Sequence, residues 1–430
     1  MNILKKMSPG RFIALGFAFV ILMGSFILFL PISHNPGVPV SYIDALFTST
    51  SAVCVTGLTV IDTADNFNVF GQTIIAILIQ IGGLGVTSVG VGFILLARRK
   101  VGFKDRILVK EALNLDSLKG IVKLVKSVLL MTLCFEGVGA LLSFIVFSQD
   151  HSWFNAIGIS LFHTVASFNN AGFDNLGGFH NLIPYRDNVL LNLTTCGLII
   201  FGGLGFVVIK EIIHKHSFKK FSLHTKVVIT MTASLLVIGT LLLKLTENIS
   251  WMGAFFFSTS ARTAGFSTYP VGNFTEAGLF VLIILMFIGA SPGSTGGGIK
   301  TTTAYTLIKS AYSASTNKHC NGFKRKIPND VISKAFILTF LASILVCFST
   351  FLICVLEPKF NFQQILFEVV SAFGTVGLST GITPDLKPAS EMVIIITMFI
   401  GRVGPLTIAS LWSFKQMSNI SYSEETITIG

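Results

Sequence analysis

Charge is what this chain lacks most. Only 12% of its 430 residues are Asp, Glu, Lys or Arg, against roughly 25% in an ordinary globular domain. So few charges exclude a disordered chain and argue against a soluble enzyme. Cysteine is also sparse. Cys54, Cys134, Cys196, Cys320, Cys347 and Cys354 show no metal-ligand spacing and fall mostly in apolar stretches, which excludes a disulfide scaffold and suits small buried hydrophobes. No Gly-x-Gly-x-x-Gly string occurs. The nearest approach to a phosphate loop, at 293–301, places Ile299 between the last glycine and Lys300 and follows an apolar run rather than a strand, so nucleotide sensing would have to come from another chain. No cleavable signal peptide is evident, because the first apolar block, 12–30, is long enough to span a bilayer.

What is present is apolar bulk: 52% hydrophobic residues, forty Phe and forty Gly, with a mean hydropathy of +0.76. Long apolar blocks at about 12–30, 69–97, 121–147, 189–213, 227–245, 279–308, 331–356 and 392–412 predict eight transmembrane helices in an all-α integral membrane protein. Between the members of each pair lies a stretch too short to cross, at 42–53, 153–168, 249–261 and 362–373. Such stretches suggest re-entrant helices lining a protein-enclosed cavity. Aligned on Gly57, Gly172, Gly265 and Gly377, the four share Phe47, Phe162, Phe255 and Phe367 ten residues earlier, and Leu58, Phe173, Phe266 and Leu378 just after. A second glycine follows about one span later, at Gly82, Gly202, Gly289 and Gly401. These matches predict one membrane domain of four span–pore helix–filter loop–span repeats, about 11–100, 119–216, 225–315 and 331–416, with a cytoplasmic C-terminal tail at 417–430.

The formal net charge is +11. Basic runs at 98–110, 210–226 and 309–326 sit between apolar blocks. This is the pattern of cytoplasmic loops, and it argues against a nucleic-acid partner. With Lys5, Lys6 and Arg11 inside, both termini are cytoplasmic. The opposite connections carry mostly acidic residues, among them Asp62, Asp65, Asp174, Glu247 and Glu357, and a negative mouth concentrates cations.

Four short helices followed by glycine loops can surround one axis. Their C-terminal ends favour a cation, and glycine lets backbone carbonyls turn inward to replace an ion's water shell. The candidate filter residues are Val55, Thr56 and Gly57; Asn170, Ala171 and Gly172; Thr263, Ala264 and Gly265; and Thr375, Val376 and Gly377. With no carboxylate among them, they suit a monovalent ion better than a divalent one. Gly289, Ala290, Ser291, Pro292, Gly293, Ser294, Thr295, Gly296, Gly297 and Gly298 interrupt the sixth apolar run at membrane depth, which predicts unwound backbone facing a cavity and usable as a plug. Arg402 lies inside the last span, and Arg262 beside the third glycine loop. Each needs a partner. Arg262 is expected behind the filter, with Glu368 as a candidate partner. Glu136 is expected to make a helix-packing hydrogen bond, and Asp44 to cap the first short helix.

The strings at 167–173 (SFNNAGF), 261–266 (ARTAGF), 371–378 (SAFGTVGL) and 398–407 (MFIGRVGPLT), with the fourfold pattern over nearly the whole chain, resemble the Trk/Ktr/HKT superfamily of potassium transporters, and among them the bacterial Ktr membrane subunit. The resemblance implies that the four glycines line a potassium filter, that 289–298 is the gating loop and that Arg402 supports it. A structural Arg402 bonding nearby carbonyls remains the alternative. It further implies a homodimer in a bacterial cell membrane, controlled by a cytosolic nucleotide-binding RCK subunit, with K+ as the transported ion, Na+ as a candidate activator and no cofactor in this chain. The competing reading is a Na+-selective or Na+-coupled secondary transporter. Such transporters use inverted repeats, whereas the four repeats here all start on the same side.

Overall fold

The computed structural model describes residues 9–96, 101–112 and 119–410, and these are almost wholly helical. Lys5, Lys6, Arg98, Arg99, Lys100 and the tail at 417–430 lie outside the described residues. In chain order the helices are α1 (Pro9–Phe29), α2 (Tyr42–Cys54), α3 (Thr63–Asn66), α4 (Val69–Leu84), α5 (Val86–Leu96), α6 (Phe103–Ala112), α7 (Ile121–Phe147), α8 (Trp153–Phe168), α9 (Val189–Leu204), α10 (Phe206–Lys215), α11 (Leu223–Thr246), α12 (Trp251–Ser260), α13 (Glu276–Phe287), α14 (Thr301–Ser315), α15 (Asn329–Leu356), α16 (Phe362–Gly374), α17 (Pro388–Val403) and α18 (Pro405–Ser410). A two-residue hairpin pairs Asn321 with Lys326 and Gly322 with Arg325.

The solvent for this fold is apolar. On α1, Leu15, Phe19, Leu22 and Phe26 form an outward stripe at helical spacing, each more than half exposed, while Ala14, Phe17, Ile21, Gly24 and Leu28 face inward. On α15, Phe336, Phe340, Phe348 and Phe351 are likewise exposed. A helix that turns its largest apolar side chains outward is built for lipid contact. Among the described residues four helices, α1, α7, α11 and α15, are long and apolar enough to cross a membrane, or up to six spans if each of two bent pairs counts as one.

Those bent pairs show that the apolar blocks 69–97 and 189–213 are each broken into two helices. Helices α4 and α5 meet at 98°, and α9 and α10 at 97°. The hinges are Gly85 (φ 82°) and Gly205 (φ 93°), left-handed backbone that side chains with a Cβ resist. Gly404 (φ 97°) separates α17 from α18 in the same way. The corresponding position of the third segment is Pro292. There α13 stops at Phe287 and the chain runs without helix to Lys300.

Each short helix packs beside the long one before it. The N-terminus of α2 is a capping box in which Ser41 Oγ accepts from Asp44 N at 3.2 Å and Asp44 Oδ2 accepts from Ser41 N at 3.3 Å. Ser41 is therefore the cap, and Asp44 is its third-position partner rather than the cap expected from sequence. The start of α16 repeats the device with Asn361 and Gln364. Two cysteines, Cys54 and Cys196, are buried as expected, whereas Cys134 and Cys347 face outward, as a small apolar side chain in lipid can.

Replacing Gly85 by Val should cost roughly 1–2 kcal/mol through the left-handed backbone it must adopt. Gly90 lies in α5 with open space around it, and Gly90→Ala should keep or slightly raise stability, alanine being the better helix former. Thermal unfolding in detergent compares the two.

Candidate ion-coordinating ring

The strand after each short helix is strapped to that helix's last turn. Thr56 N donates to Ser51 O (2.8 Å), Ala171 N to Ala166 O (2.7 Å) and Val376 N to Ser371 O (2.9 Å), while in the third segment Ala264 N reaches Ser260 O (2.8 Å). Ser51 Oγ and Ser371 Oγ also accept from Gly57 N and Gly377 N, each at 3.0 Å. Two residues before each glycine the backbone turns left-handed, at Val55 (φ 59°), Asn170 (φ 59°), Thr263 (φ 84°) and Thr375 (φ 50°). None of these is glycine, so each stores strain that its hydrogen bonds must hold.

The four glycines close a ring. A Cβ built on Gly57 would stand 2.3 Å from Ala171 O, one on Gly172 2.5 Å from Ala264 O, one on Gly265 2.2 Å from Val376 O, and one on Gly377 2.2 Å from Thr56 O. Each strand thus lays its penultimate carbonyl into the space the preceding strand's glycine leaves empty, and the first strand does the same for the fourth. Any side chain at these positions would displace backbone. All twelve candidate residues fall within these four strands, where Val55, Thr56, Asn170, Ala171, Thr263, Ala264, Thr375 and Val376 are buried.

On one side of the ring lies a cavity of about 400 Å³, lined by the four glycines together with Asp62, Asp174 and Thr380. Most of the acidic residues expected to charge this mouth have structural duties instead. Glu247 accepts from Thr275 N (2.9 Å) and Glu357 from Lys387 N (2.7 Å), capping neighbouring segments. Asp62 accepts from Ala64 N and Asp65 N at the start of α3, and from Phe179 N at 2.8 Å. Asp174 is held by Leu176 N (3.1 Å) and Asn181 Nδ2 (2.9 Å). Burial pushes its carboxyl up to about 7, with the charges of Asp62 and Asp65 adding and those two hydrogen bonds opposing.

The other side is closed by 288–300. Its neck is a bridge between Ile288 and Ile299, with Gly289 N donating to Ile299 O at 2.9 Å. The loop is tied to the second segment by Ser291 N to Gly203 O (3.1 Å), Thr295 N to Gly202 O (3.2 Å) and Phe206 N to Gly293 O (3.0 Å). It touches the strands under the ring through Gly297 N to Thr375 Oγ1 (3.0 Å) and Thr295 Oγ1 to Asn170 Oδ1 (3.3 Å). Ala290, Ser291 and Thr295 are fully buried. A second cavity of about 280 Å³ lies beyond it, lined by Gly83, Gly293, Gly296, Lys300 and Arg402.

Arg402 meets the loop as expected and also serves as its alternative reading supposed. Nη1 donates to Thr295 O, and Nη2 to Gly82 O with Gly83 O at 3.4 Å. One guanidinium therefore joins the loop to α4 from α17. Arg262 is buried behind the third strand, but Glu368 is not its partner. Arg262 Nη2 reaches Thr232 Oγ1 at 3.5 Å, while Glu368 accepts from Ser379 Oγ, Thr380 N and Thr383 Oγ1, each at 2.8 Å. Glu368 lies nine residues before its glycine and fastens the backbone just past the ring to the helix that precedes it. At the same offset His163 bonds Thr195 Oγ1 at 2.9 Å. Nothing in the sequence singles out His163 except its place nine residues before Gly172, an offset it shares with Glu368. Glu136 makes the packing hydrogen bond expected of it, to Asn169 Nδ2 at 3.2 Å.

Backbone oxygens ringed at the waist of a lipid-facing helical bundle, with a cavity on either side, define a membrane transporter of cations. The profile of the TrkH cation transport proteins matches residues 8–227 and 221–422; the chain belongs to this family, whose members are transporters and not enzymes. It is 40% identical to the potassium/sodium uptake protein NtpJ of Enterococcus hirae, over 99% of this chain and 98% of that one. It is 38% identical to the Ktr system potassium uptake protein B of Bacillus subtilis, over 99% and 97%. The crystal structure of the potassium transporter TrkH from Vibrio parahaemolyticus superposes with a TM-score of 0.76 at 18% identity, covering 95% of this chain and 85% of that one, a likeness of fold.

The raised carboxyl of Asp174 has a signed consequence. Folded, it keeps a proton at pH values where the unfolded chain has lost it. Its contribution to stability is complete below the ordinary carboxylate range near ~4 and is lost as pH rises through about 7. The unfolding midpoint should therefore fall more between pH ~5 and ~8 in the native protein than in Asp174→Asn.

Proposed function

We propose that this chain is the ion-conducting subunit of a Ktr-type potassium uptake system. Potassium passes through the ring of backbone carbonyls, and the 289–298 loop gates the path. The observation that carries this reading is the closed succession of the four glycines, each with the neighbouring strand's carbonyl where its Cβ would be. Uncharged oxygens in a ring replace the shell of a weakly hydrated monovalent ion without binding it too tightly to release. The architecture that accompanies the reading has four repeats and eight spans, each second span bent or interrupted at its glycine string. Both termini are cytoplasmic, on the side of the basic runs.

Two features support control by other chains. The loop fills the path below the ring and has to move for ions to pass, and nothing in this sequence resembles a nucleotide site. Relatives are named as parts of a Ktr system, which supports a partner, and a homodimer over a cytosolic RCK subunit is the arrangement we assign to this chain. Transport is downhill, the inside-negative potential contributing about 2.3 kcal/mol per charge per 100 mV.

One specific observation favours a second reading. A relative 40% identical is named for both potassium and sodium uptake, so sodium could share the pathway or drive it. Rubidium uptake into proteoliposomes, with sodium as competitor, separates the two. Gly57→Ser should lower the rubidium-over-sodium preference by about tenfold, because the hydroxymethyl group pushes Ala171 O out of the ring. An unchanged ratio would sink the carbonyl filter, and sodium-selective flux through the native ring would install the second reading.

A further inference from the structure

Within 288–300 the only charged side chain is Lys300, and it turns back beneath its own loop. Lys300 Nζ donates to Gly296 O at 2.7 Å and stands 3.4 Å from Gly297 O. These carbonyls belong to the stretch that crosses directly under the ring. Gly297 N is bonded to Thr375 Oγ1 at 3.0 Å, and a Cβ on Gly296 would stand 2.2 Å from Thr263 Oγ1. Thr263 and Thr375 are the left-handed residues two places before Gly265 and Gly377. The Lys300 side chain in turn lines the cavity beyond the loop. The ammonium therefore sits on backbone oxygens that lie between the ring and the lower cavity, where an ion leaving the ring has to go.

An ammonium and a potassium ion make the same demand on such a place, a cluster of oxygen lone pairs facing one positive charge. They cannot share it, since like charges in a poorly solvated site repel strongly. Arg402 does something different. It bonds Thr295 O but is also committed to the carbonyls of Gly82 and Gly83, so it anchors the loop to the bundle. Lys300 has its second attachment at the start of α14, where its own carbonyl accepts from Ala304 N at 3.1 Å. A shift of α14 would carry the ammonium away without breaking the Arg402 anchor.

We propose that Lys300 is a tethered surrogate cation. Its ammonium occupies the Gly296–Gly297 carbonyl pair while the path is closed, and withdrawal of α14 surrenders that pair to the passing potassium ion as an exit site. The inference rests on the conduction reading above and adds to it the group that fills the pathway and the oxygens that receive the ion.

The test is rubidium flux into proteoliposomes of the full chain without a partner, with sodium competition. Lys300→Met should raise flux about tenfold, the scale of one lost charge-assisted hydrogen bond, and leave the rubidium-over-sodium preference unchanged because the ring is untouched. Lys300→Arg should stay near the native rate. Flux in Lys300→Met equal to or below that of the native protein overturns the proposal. Should that variant not fold, Lys300→Cys gives the same readout by chemical rescue. A methanethiosulfonate reagent bearing an ammonium group should suppress its flux relative to a neutral reagent of similar size, with the native chain treated alongside to correct for its own cysteines. Equal flux with the two reagents overturns the proposal. A native chain that passes no rubidium even with an RCK subunit present would instead overturn the conduction reading, and the surrogate cation with it.

Discussion

A missing Cβ is the constraint on which this molecule depends. Four times the chain brings a backbone oxygen to between 2.2 and 2.5 Å of where a glycine's side chain would begin, a separation no other residue tolerates. The ring forms because each strand is the filler for the preceding one's vacancy. It is closed by geometry and needs no side-chain chemistry at the axis. The cost is strain two residues earlier, where Val, Asn and two Thr hold left-handed backbone. That strain is tolerated because hydrogen bonds to the preceding short helix over-determine each strand.

The same device is used one layer further out, and there the symmetry fails once. Gly82, Gly202 and Gly401 each receive a carbonyl from four residues before the ring glycine, those of Val53, Phe168 and Phe373. Gly289, which should receive Ala261 or its neighbour by the same logic, packs instead on Gly297 of its own loop. The third segment has withdrawn from the common scheme, and the backbone so freed crosses under the ring. Three segments that pack alike make a rigid frame. The third segment, free of that packing, is the one whose loop the proposed gating would move.

Much of this was legible before any coordinates. Glycine spacing located all four strands, and the run of glycines and hydroxyl residues from 289 to 298 announced unwound backbone, because no apolar helix would carry them without reason. The bends at Gly85 and Gly205 were not legible as bends, since hydropathy measures where a helix is apolar and carries no record of its direction. The signal was nonetheless there, in the last glycine of each IGGLG or FGGLG string. Pairing Arg262 with Glu368 failed for a different reason. Opposite charge makes Glu368 a candidate for Arg262, but a carboxylate next to a turn finds N–H and O–H donors at closer range, and Glu368 has four, from Ser379, Thr380 and Thr383. Lys300 carries no signal in the sequence beyond a phosphate loop it fails to complete, because the fold back of its side chain onto Gly296 O depends on the conformation of the loop.

The positions behind the ring explain how four similar strands can differ in stiffness. Nine residues before the glycine stand Thr48, His163, Phe256 and Glu368. Glu368 fastens the fourth strand beyond its glycine through three residues, and His163 ties the second to α9. Phe256 gives the third strand only packing, and Arg262 beside it has one long hydrogen bond, to Thr232. Thr48 Oγ1 has no hydrogen-bond partner among the described residues, and the third strand is held instead by its own helix end, where Ala264 N and Gly265 N donate to Ser260 O. Under the proposed conduction, a loop that moves has to be mechanically separate from a ring that stays fixed, or opening would disturb ion choice. The loop and the strands meet at the contacts of Gly296 and Gly297 with Thr263 and Thr375, one polar layer from the glycines.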